Sequence, residues 1–381
     1  MVQVLFIATT LLSFIYAGFL CWCIRGWMRL QPVDSNQFKD QQPVSISVII
    51  PARNEAENIF DCLSDFIRQD YPFDSFEVIV ADDHSNDDTS AIVQKFIHDH
   101  PALRIQLLQL KAGGENKTYK KYAITSAIDI SAGELIITTD ADCRRGRMWL
   151  KSIAGYYASC HPEMISAPVI FEGEKSWLEK IQSLEFLGLV GIGAAAIRNG
   201  YPFLCNGANL AFSKEVFRVT GGYDAAKNIS SGEDTQLMLK IAPRGKERIQ
   251  FLKSIHATVR TKAQKSMQEL LDQRKRWASK IPVQMNAFTI CIAIVAYFLH
   301  AGLLISGFGI LYSGNLYCFF IPLFIKMIPE FILLTSVAGF FKKSKLLYLF
   351  LPAQFIYPIY ISVVGISSFS KSYQWKGREV K

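Results

Sequence analysis

The 381-residue sequence has no CxxC pair and no His/Cys cluster at zinc-ligand spacing, which excludes a structural zinc site and a dithiol redox motif. Cys62, Cys143, Cys160 and Cys205 are widely spaced, and Cys21 and Cys23 lie inside an apolar run, a pattern suited to a reducing compartment. There is no internal repeat and no low-complexity linker, so repeat arrays are set aside. The net charge of +8 comes without any recognisable base-reading module, and no nucleic acid is expected as a partner. No basic residue precedes the first long apolar run, residues 4–24, whereas Arg25 and Arg29 follow it directly. A signal peptide carries its positive charge first. An uncleaved anchor is expected, with its N-terminus outside and the following residues on the cytoplasmic side.

Half of the residues are hydrophobic, and they are unevenly spread. After Ile281 the chain is apolar almost to its end, while residues 40–280 read as a soluble domain. The expected organisation is an anchor at 1–30, a cytoplasmic domain at 40–263, an amphipathic interfacial segment at 264–284, transmembrane or re-entrant helices at 285–370 and a basic tail at 371–381. Residues 244–280 hold eleven Lys/Arg against three Asp/Glu, a juxtamembrane run that suits anionic lipid head groups. The chain is thus expected to be a multi-pass membrane protein, in the inner membrane if bacterial.

In the soluble part, strand patterns at 45–50, 76–81, 104–109 and 134–139 alternate with helical patterns after Asn54, after Thr89 and over 120–130. That alternation predicts an α/β domain with a mainly parallel sheet, whose ligand crevice lies beyond the strand C-terminal ends. Glu55, the pair Asp82 and Asp83, and the pair Asp140 and Asp142 follow three of these strands. Each alone reads as turn or capping chemistry. Together they crowd one rim with carboxylates, which is costly unless a positive group arrives. A divalent cation, Mg²⁺ or Mn²⁺, holding a diphosphate is the usual answer. Lys117, Lys120 and Lys121 lie just upstream of the Asp140–Ala141–Asp142 triplet, either to meet phosphate charge or as a solvated helix face.

Further on, residues 206–212 (NGANLAF) contain a glycine that permits close backbone approach. Glu233 and Asp234 open a helix, as favourable first-turn acids or as a general base taking a proton from an attacking hydroxyl. Over 265–280, Met267, Leu270, Leu271, Arg274 and Trp277 recur at helical spacing, the pattern of an interfacial helix with Trp277 as anchor.

The ordered series PARNE, VADDHSNDD, DAD, GANLAF, GED and QRKRW resembles the inverting family-2 glycosyltransferases of GT-A fold. The resemblance is to their membrane-bound branch, which contains ceramide and carotenoid glycosyltransferases and polysaccharide synthases, and it covers roughly residues 44–280. It implies a Rossmann-like nucleotide-sugar domain flanked by transmembrane helices, and transfer of a sugar from a nucleotide-sugar, a UDP-sugar foremost. Ala52, Glu55, Asp82 and Asp83 would line the nucleoside pocket, with one Asp of the pair on the base. Lys120 resembles the lysine of a GK-type segment, although Tyr119 stands where glycine is usual. Asp140 and Asp142 match the metal-binding DxD, with Asp140 also on the donor side. Asp234 matches the catalytic base, with Glu233 beside it. Gln273, Arg276 and Trp277 match QxxRW, placed by the donor diphosphate and the acceptor. His84 stands where the family commonly has glycine.

Three apolar stretches follow, about 286–312, 316–341 and 346–368, with Lys326 and Glu330 four apart in the second. Charges at that depth are expensive, so they are expected to pair with each other or with a lipid head group. So few spans disfavour a long polysaccharide channel, and a membrane lipid acceptor with a hydroxyl or phosphate head is expected. The apolar helical stretch 177–197 could floor its entry or serve as plain core. The alternatives are a processive polysaccharide synthase and an inactive membrane scaffold of the same fold; intact DAD, GED and QRKRW weigh against the latter.

Overall fold

The computed structural model describes residues 2–38, 41–110, 119–223, 232–278, 287–367, 373–375 and 378–380. Lys117, residues 279–284 of the expected interfacial segment and parts of the basic tail lie outside them. The chain divides into two compact units. One comprises Leu30–Glu172 and Ala196–Lys262; the other comprises Met1–Arg29, Gly173–Ala195 and Ala263–Lys381.

The first unit carries ten strands in chain order: β1 (Ile46–Ala52), β2 (Phe76–Asp82), β3 (Ile105–Gln109), β4 (Leu135–Thr138), β5 (Arg144–Arg145), β6 (Met164–Ser166), β7 (Val169–Phe171), β8 (Leu210–Ser213), β9 (Ile249–Phe251) and β10 (Val259–Thr261). Seven form one sheet in the order β3-β2-β1-β4-β8-β6-β9. β3, β2, β1 and β4 are mutually parallel, β8 runs antiparallel to both β4 and β6, and β9 is parallel to β6. This is the mainly parallel α/β sheet expected of a GT-A domain, with one reversed strand. β5, β10 and β7 make a small second sheet.

The central strands are continuous apolar runs because both faces of such a sheet are covered. Val48, Ile49, Ile50, Val78, Ile79, Val80, Ile136 and Ile137 are all fully buried. Among the described residues the α-helices are α1 (Val2–Arg29), α2 (Ile59–Ile67), α3 (Thr89–Asp99), α4 (Tyr119–Ile130), α5 (Trp149–Cys160), α6 (Trp177–Arg198), α7 (Lys214–Val219), α8 (Glu233–Ile241), α9 (Met267–Ala278), α10 (Ala287–Ser313), α11 (Tyr317–Phe340) and α12 (Phe350–Ser367). Register then sets the rim: Ala52 pairs with Asp82, and Ile49 pairs with Thr138. Asp140 follows the end of β4 by two residues.

The second unit is mainly helical, with one antiparallel pair of short strands, Tyr373–Trp375 and Arg378–Val380. By length and composition five helices among the described residues could cross a membrane: Val2–Arg29, Trp177–Arg198, Ala287–Ile310, Tyr317–Phe340 and Ser344–Ile366. Four match the apolar stretches read from the sequence, and the stretch at 177–197 adds a fifth. Ile7, Phe14, Phe298, Phe308, Phe324, Ile328, Leu351 and Phe355 leave apolar surface exposed on these helices. Inside the unit, the Trp27 indole N–H donates to Ser336 Oγ at 2.9 Å, fixing α1 on α11. A Cβ on Gly191 of α6 would lie 2.6 Å from Val337 Cγ2 of α11, so only glycine allows that approach.

Lys326 is almost fully buried and donates to Glu330 Oε2 at 2.7 Å and to Gln354 Oε1 at 2.6 Å. Gln354 Nε2 and Tyr16 Oη also donate to Glu330, at 3.1 and 3.0 Å. The expected pair thus forms, and it recruits α1 and α12 into one polar knot. Each charge there meets a partner, which is what a low-dielectric interior demands.

Candidate functional site

The first rim element is the turn after β2. Asp82 is buried, and both of its oxygens serve the turn. Oδ1 accepts from Ser85 N–H at 3.1 Å and from Ser85 Oγ at 2.5 Å, and Oδ2 accepts from Ser90 Oγ at 2.5 Å. Asp83 is buried too, with Oδ1 3.0 Å from His84 Nδ1. His84 has φ +56°, the left-handed region where a glycine is at ease and where His is tolerated better than most residues. The backbone geometry thus accounts for the position where the family commonly has glycine.

The turn after β1 is stitched to this one. Arg53 Nη1 donates to the carbonyls of Asp83 and His84 at 2.6 and 3.1 Å, and Asn54 N–H donates to Ser85 Oγ at 3.0 Å. Glu55 N–H donates to Thr89 Oγ1 at 2.8 Å, while its Oε2 accepts from Asn58 at 2.9 Å. The structure therefore brings Ala52, Glu55, Asp82 and Asp83 into one double turn at the strand ends. Arg53, Ser85 and Ser90, which the sequence reading gave no role, hold it together; only their place within the two motifs could have marked them.

The second rim element joins α4, the segment after β4 and α8. Lys120 Nζ lies 2.8 Å from Asp140 Oδ1 and 3.7 Å from Glu233 Oε1. Burial alone would lower the ammonium pKa, but the carboxylates of Asp140 and then Glu233 outweigh it and raise it. Lys120 is a fixed cation over any working pH. Beside it, Lys121 is buried and donates to Gln236 Oε1 at 3.1 Å, tying α4 to α8. Glu233 is 4% exposed, and its Oε2 has no partner among the described residues.

Asp234 is half-buried. Its Oδ2 accepts from Gly207 N–H at 2.9 Å and its Oδ1 from Thr235 N–H at 2.8 Å. A Cβ on Gly207 would lie 3.4 Å from Asp234 Oδ2, an ordinary contact, so this approach does not by itself require the glycine of the NGANLAF segment. Thr138 Oγ1 donates to Gly207 O at 2.7 Å. Asn209, fully buried, donates to the carbonyls of Pro168 and Ala257 and accepts from the Trp149 indole N–H, which fixes the loop from the other side.

Two groups near Asp234 do not compete for protons at neutral pH. Burial first, then the Asp234 charge, pushes the Cys205 thiol well up; burial, then Glu233 and Asp234, does the same to the Tyr223 phenol. Cys143 is likewise held as a thiol, by burial and then by Asp142 and Asp140. Asp142 is exposed, and its Oδ2 accepts from Thr261 Oγ1 at 3.3 Å.

Asp140 and Asp142 offer only hard oxygen donors, and among the described residues no three His, Cys, Asp or Glu group into a ready metal cage. That donor set fits a cation held by one or two carboxylates together with phosphate oxygens of a bound nucleotide, as Mg²⁺ commonly is. It does not fit an ion held by protein ligands alone.

Gln273, Arg276 and Trp277 lie on α9 in the second unit, whereas the other candidate residues lie in the first. Gln273 and Trp277 are half-buried. Trp277 packs against Phe186 with ring centroids 6.2 Å apart, and the Arg274 guanidinium sits 4.2 Å over its ring.

Three comparisons bear on this arrangement. A family model described as glycosyl transferase family 21 matches residues 5–381. The glycosyltransferase AglE of Haloferax volcanii is 36% identical over 107 residues, 28% of this chain and 33% of that protein. The beta-monoglucosyldiacylglycerol synthase of Synechocystis is 23% identical over 166 residues, 40% of this chain and 34% of that protein. This chain thus spans about a third of the length of those two relatives. Among solved structures, the mannosyltransferase PcManGT from Pyrobaculum calidifontis, in complex with GDP-Man and Mn²⁺, superposes with a TM-score of 0.58 at 18% identity, covering 97% of this chain and 99% of that one. That likeness shows a shared fold.

Proposed function

Given that the chain belongs to glycosyl transferase family 21, whose model matches residues 5–381, we propose that it is a membrane-bound inverting glycosyltransferase. It transfers a sugar from a nucleotide-sugar to a hydroxyl or phosphate of a membrane lipid. The observation that carries this is the joined rim itself: Asp140, Lys120, Glu233 and a half-buried, backbone-held Asp234 meet beyond the C-terminal end of β4. The relatives support the substrate classes, one being a diacylglycerol glucoside synthase and the fold neighbour holding a nucleotide-sugar with Mn²⁺.

In this reading Glu55 and Asp83 contact the nucleoside in the double turn, while Asp82 keeps that turn in shape. Lys120 faces the diphosphate with a permanent charge. A divalent cation held by Asp140 and Asp142 would neutralise the diphosphate as it leaves. Asp234 accepts the proton of the acceptor hydroxyl as that oxygen bonds to the anomeric carbon from the face opposite the breaking carbon–diphosphate bond. One displacement of this kind inverts the anomeric configuration. The motif resemblance assigns Gln273, Arg276 and Trp277 of the second unit to the diphosphate and acceptor. The helices at both ends of the sequence cross the bilayer, and Arg25 and Arg29 place the α/β unit on the cytoplasmic side.

The test uses the full chain purified in detergent, with UDP- and GDP-sugars, Mg²⁺ or Mn²⁺, and a membrane lipid extract. The expected product is a lipid heavier by one sugar, of inverted configuration, detected by mass spectrometry and NMR. A long polymer would favour a processive synthase, and retained configuration would rule out single displacement.

A further inference from the structure

The QRKRW segment contains an arginine to which the motif reading gives no part. Arg274 is 5% exposed, whereas Gln273, Arg276 and Trp277 around it are half-buried. Nearly every surface of its guanidinium is engaged. Nε donates to Tyr360 Oη of α12 at 2.7 Å, Nη2 donates to Glu185 Oε2 of α6 at 2.6 Å, and Nη1 donates to Gln273 Oε1 at 3.1 Å. Its face covers the Trp277 ring at 4.2 Å. Two of these contacts tie α9 to neighbouring helices, and two set the side chains that the motif presents.

We propose that Arg274 is the positioning residue of this segment: anchored by Glu185 and Tyr360, it fixes the amide of Gln273 and the indole plane of Trp277. The inference rests on the proposed activity only for the step those two residues serve. Its geometric content is independent of that activity. A planar fork that donates in three directions while stacking through its face is a task only arginine performs. Lysine keeps the charge and loses both the fork and the stack. The buried environment adds to the demand, because Glu185 beside it is also largely shielded and needs its cation.

The experiment compares the full chain with Arg274→Lys, each with and without Trp277→Phe, in detergent. Subtracting the Trp277→Phe emission isolates Trp277, and acrylamide quenching of that signal reports its exposure whatever the protein transfers. The expected result is stronger quenching in Arg274→Lys with unchanged nucleotide-sugar affinity, alongside a lower melting temperature from the lost contacts with Glu185 and Tyr360. Transfer at saturating donor should fall by up to about 10²-fold, the cost of a reacting group displaced by roughly 1 Å. In the Trp277→Phe background the same substitution should cost less, since only the Gln273 contact is then left for the arginine to set. Glu185→Gln and Tyr360→Phe, which loosen the anchor without touching the motif, should move quenching the same way.

Unchanged Trp277 quenching would overturn the proposal. So would an equal activity loss in both backgrounds, or a parallel drop in melting temperature and donor affinity, since each marks a general structural role. A protein that transfers no sugar but shows the quenching change would sink the proposed activity and leave the positioning role standing.

Discussion

Asp234→Asn separates a base from a structural acid at the start of α8. The Asp234 carboxylate accepts one N–H on each oxygen, from Gly207 and from Thr235. Asparagine has one oxygen, so one of those N–H groups loses its acceptor, at a cost of about 1–3 kcal/mol in stability. Losing a negative charge in the first turn of α8 adds about 0.3–1 kcal/mol. The chemical step should suffer more, because removing a positioned base costs about 10²–10⁴-fold in rate, or roughly 2.7–5.5 kcal/mol of barrier. The two effects are read in different experiments: thermal unfolding in detergent for the first, single-turnover transfer at saturating donor for the second. Donor affinity, measured by calorimetry with the nucleotide-sugar, should change little. Glu233→Gln is the contrast, since Glu233 is buried and faces Lys120 rather than the open rim. It should raise the donor Kd more than it lowers turnover. Turnover in Asp234→Asn within about threefold of wild type, far short of the loss a base implies, would refute the base assignment. A tenfold loss of donor affinity would instead move Asp234 into the donor site.

Asp140→Asn and Asp142→Asn should each abolish Mg²⁺- or Mn²⁺-dependent donor binding with the fold intact by circular dichroism; unchanged affinity in both would remove the metal assignment. Deleting residues 1–30 should leave the protein in the membrane pellet, because α10, α11 and α12 remain, and a soluble product would recast those helices as core. Lys326→Met should strip Glu330 of its buried partner and cost about 3–5 kcal/mol, read as a lower melting temperature in detergent. Adding Glu330→Leu should recover part of that loss, and a double variant no better than the single would show that the knot is not an ion-pair problem.

Most of the sheet was legible because β1, β2 and β4 are rich in β-branched residues and are followed by turns carrying acids, a signal carried by neighbours in sequence. The four apolar stretches were legible for the same reason, since spanning a bilayer needs only length and composition. β6 through β10 were not, because strands of three or four residues show no period of their own and are defined by their partners. The reversed direction of β8 follows from its pairing with β4 and β6, which no local pattern records.

By itself the sequence determined the α/β class, the apolar helices and the order of the motifs, all properties of contiguous residues. Only the tertiary structure decided how each carboxylate is engaged. Asp82 and Asp83 are adjacent in the chain, yet the first is consumed by Ser85 and Ser90 in holding its turn. Glu233 and Asp234 are adjacent too, but consecutive residues on a helix point about 100° apart. One therefore turns inward to Lys120, and the other stays half-buried against Gly207. Arg274 shows the same division: its spacing marks one face of a helix, and only the packing of α6, α9 and α12 reveals that each of its three guanidinium nitrogens donates to a partner.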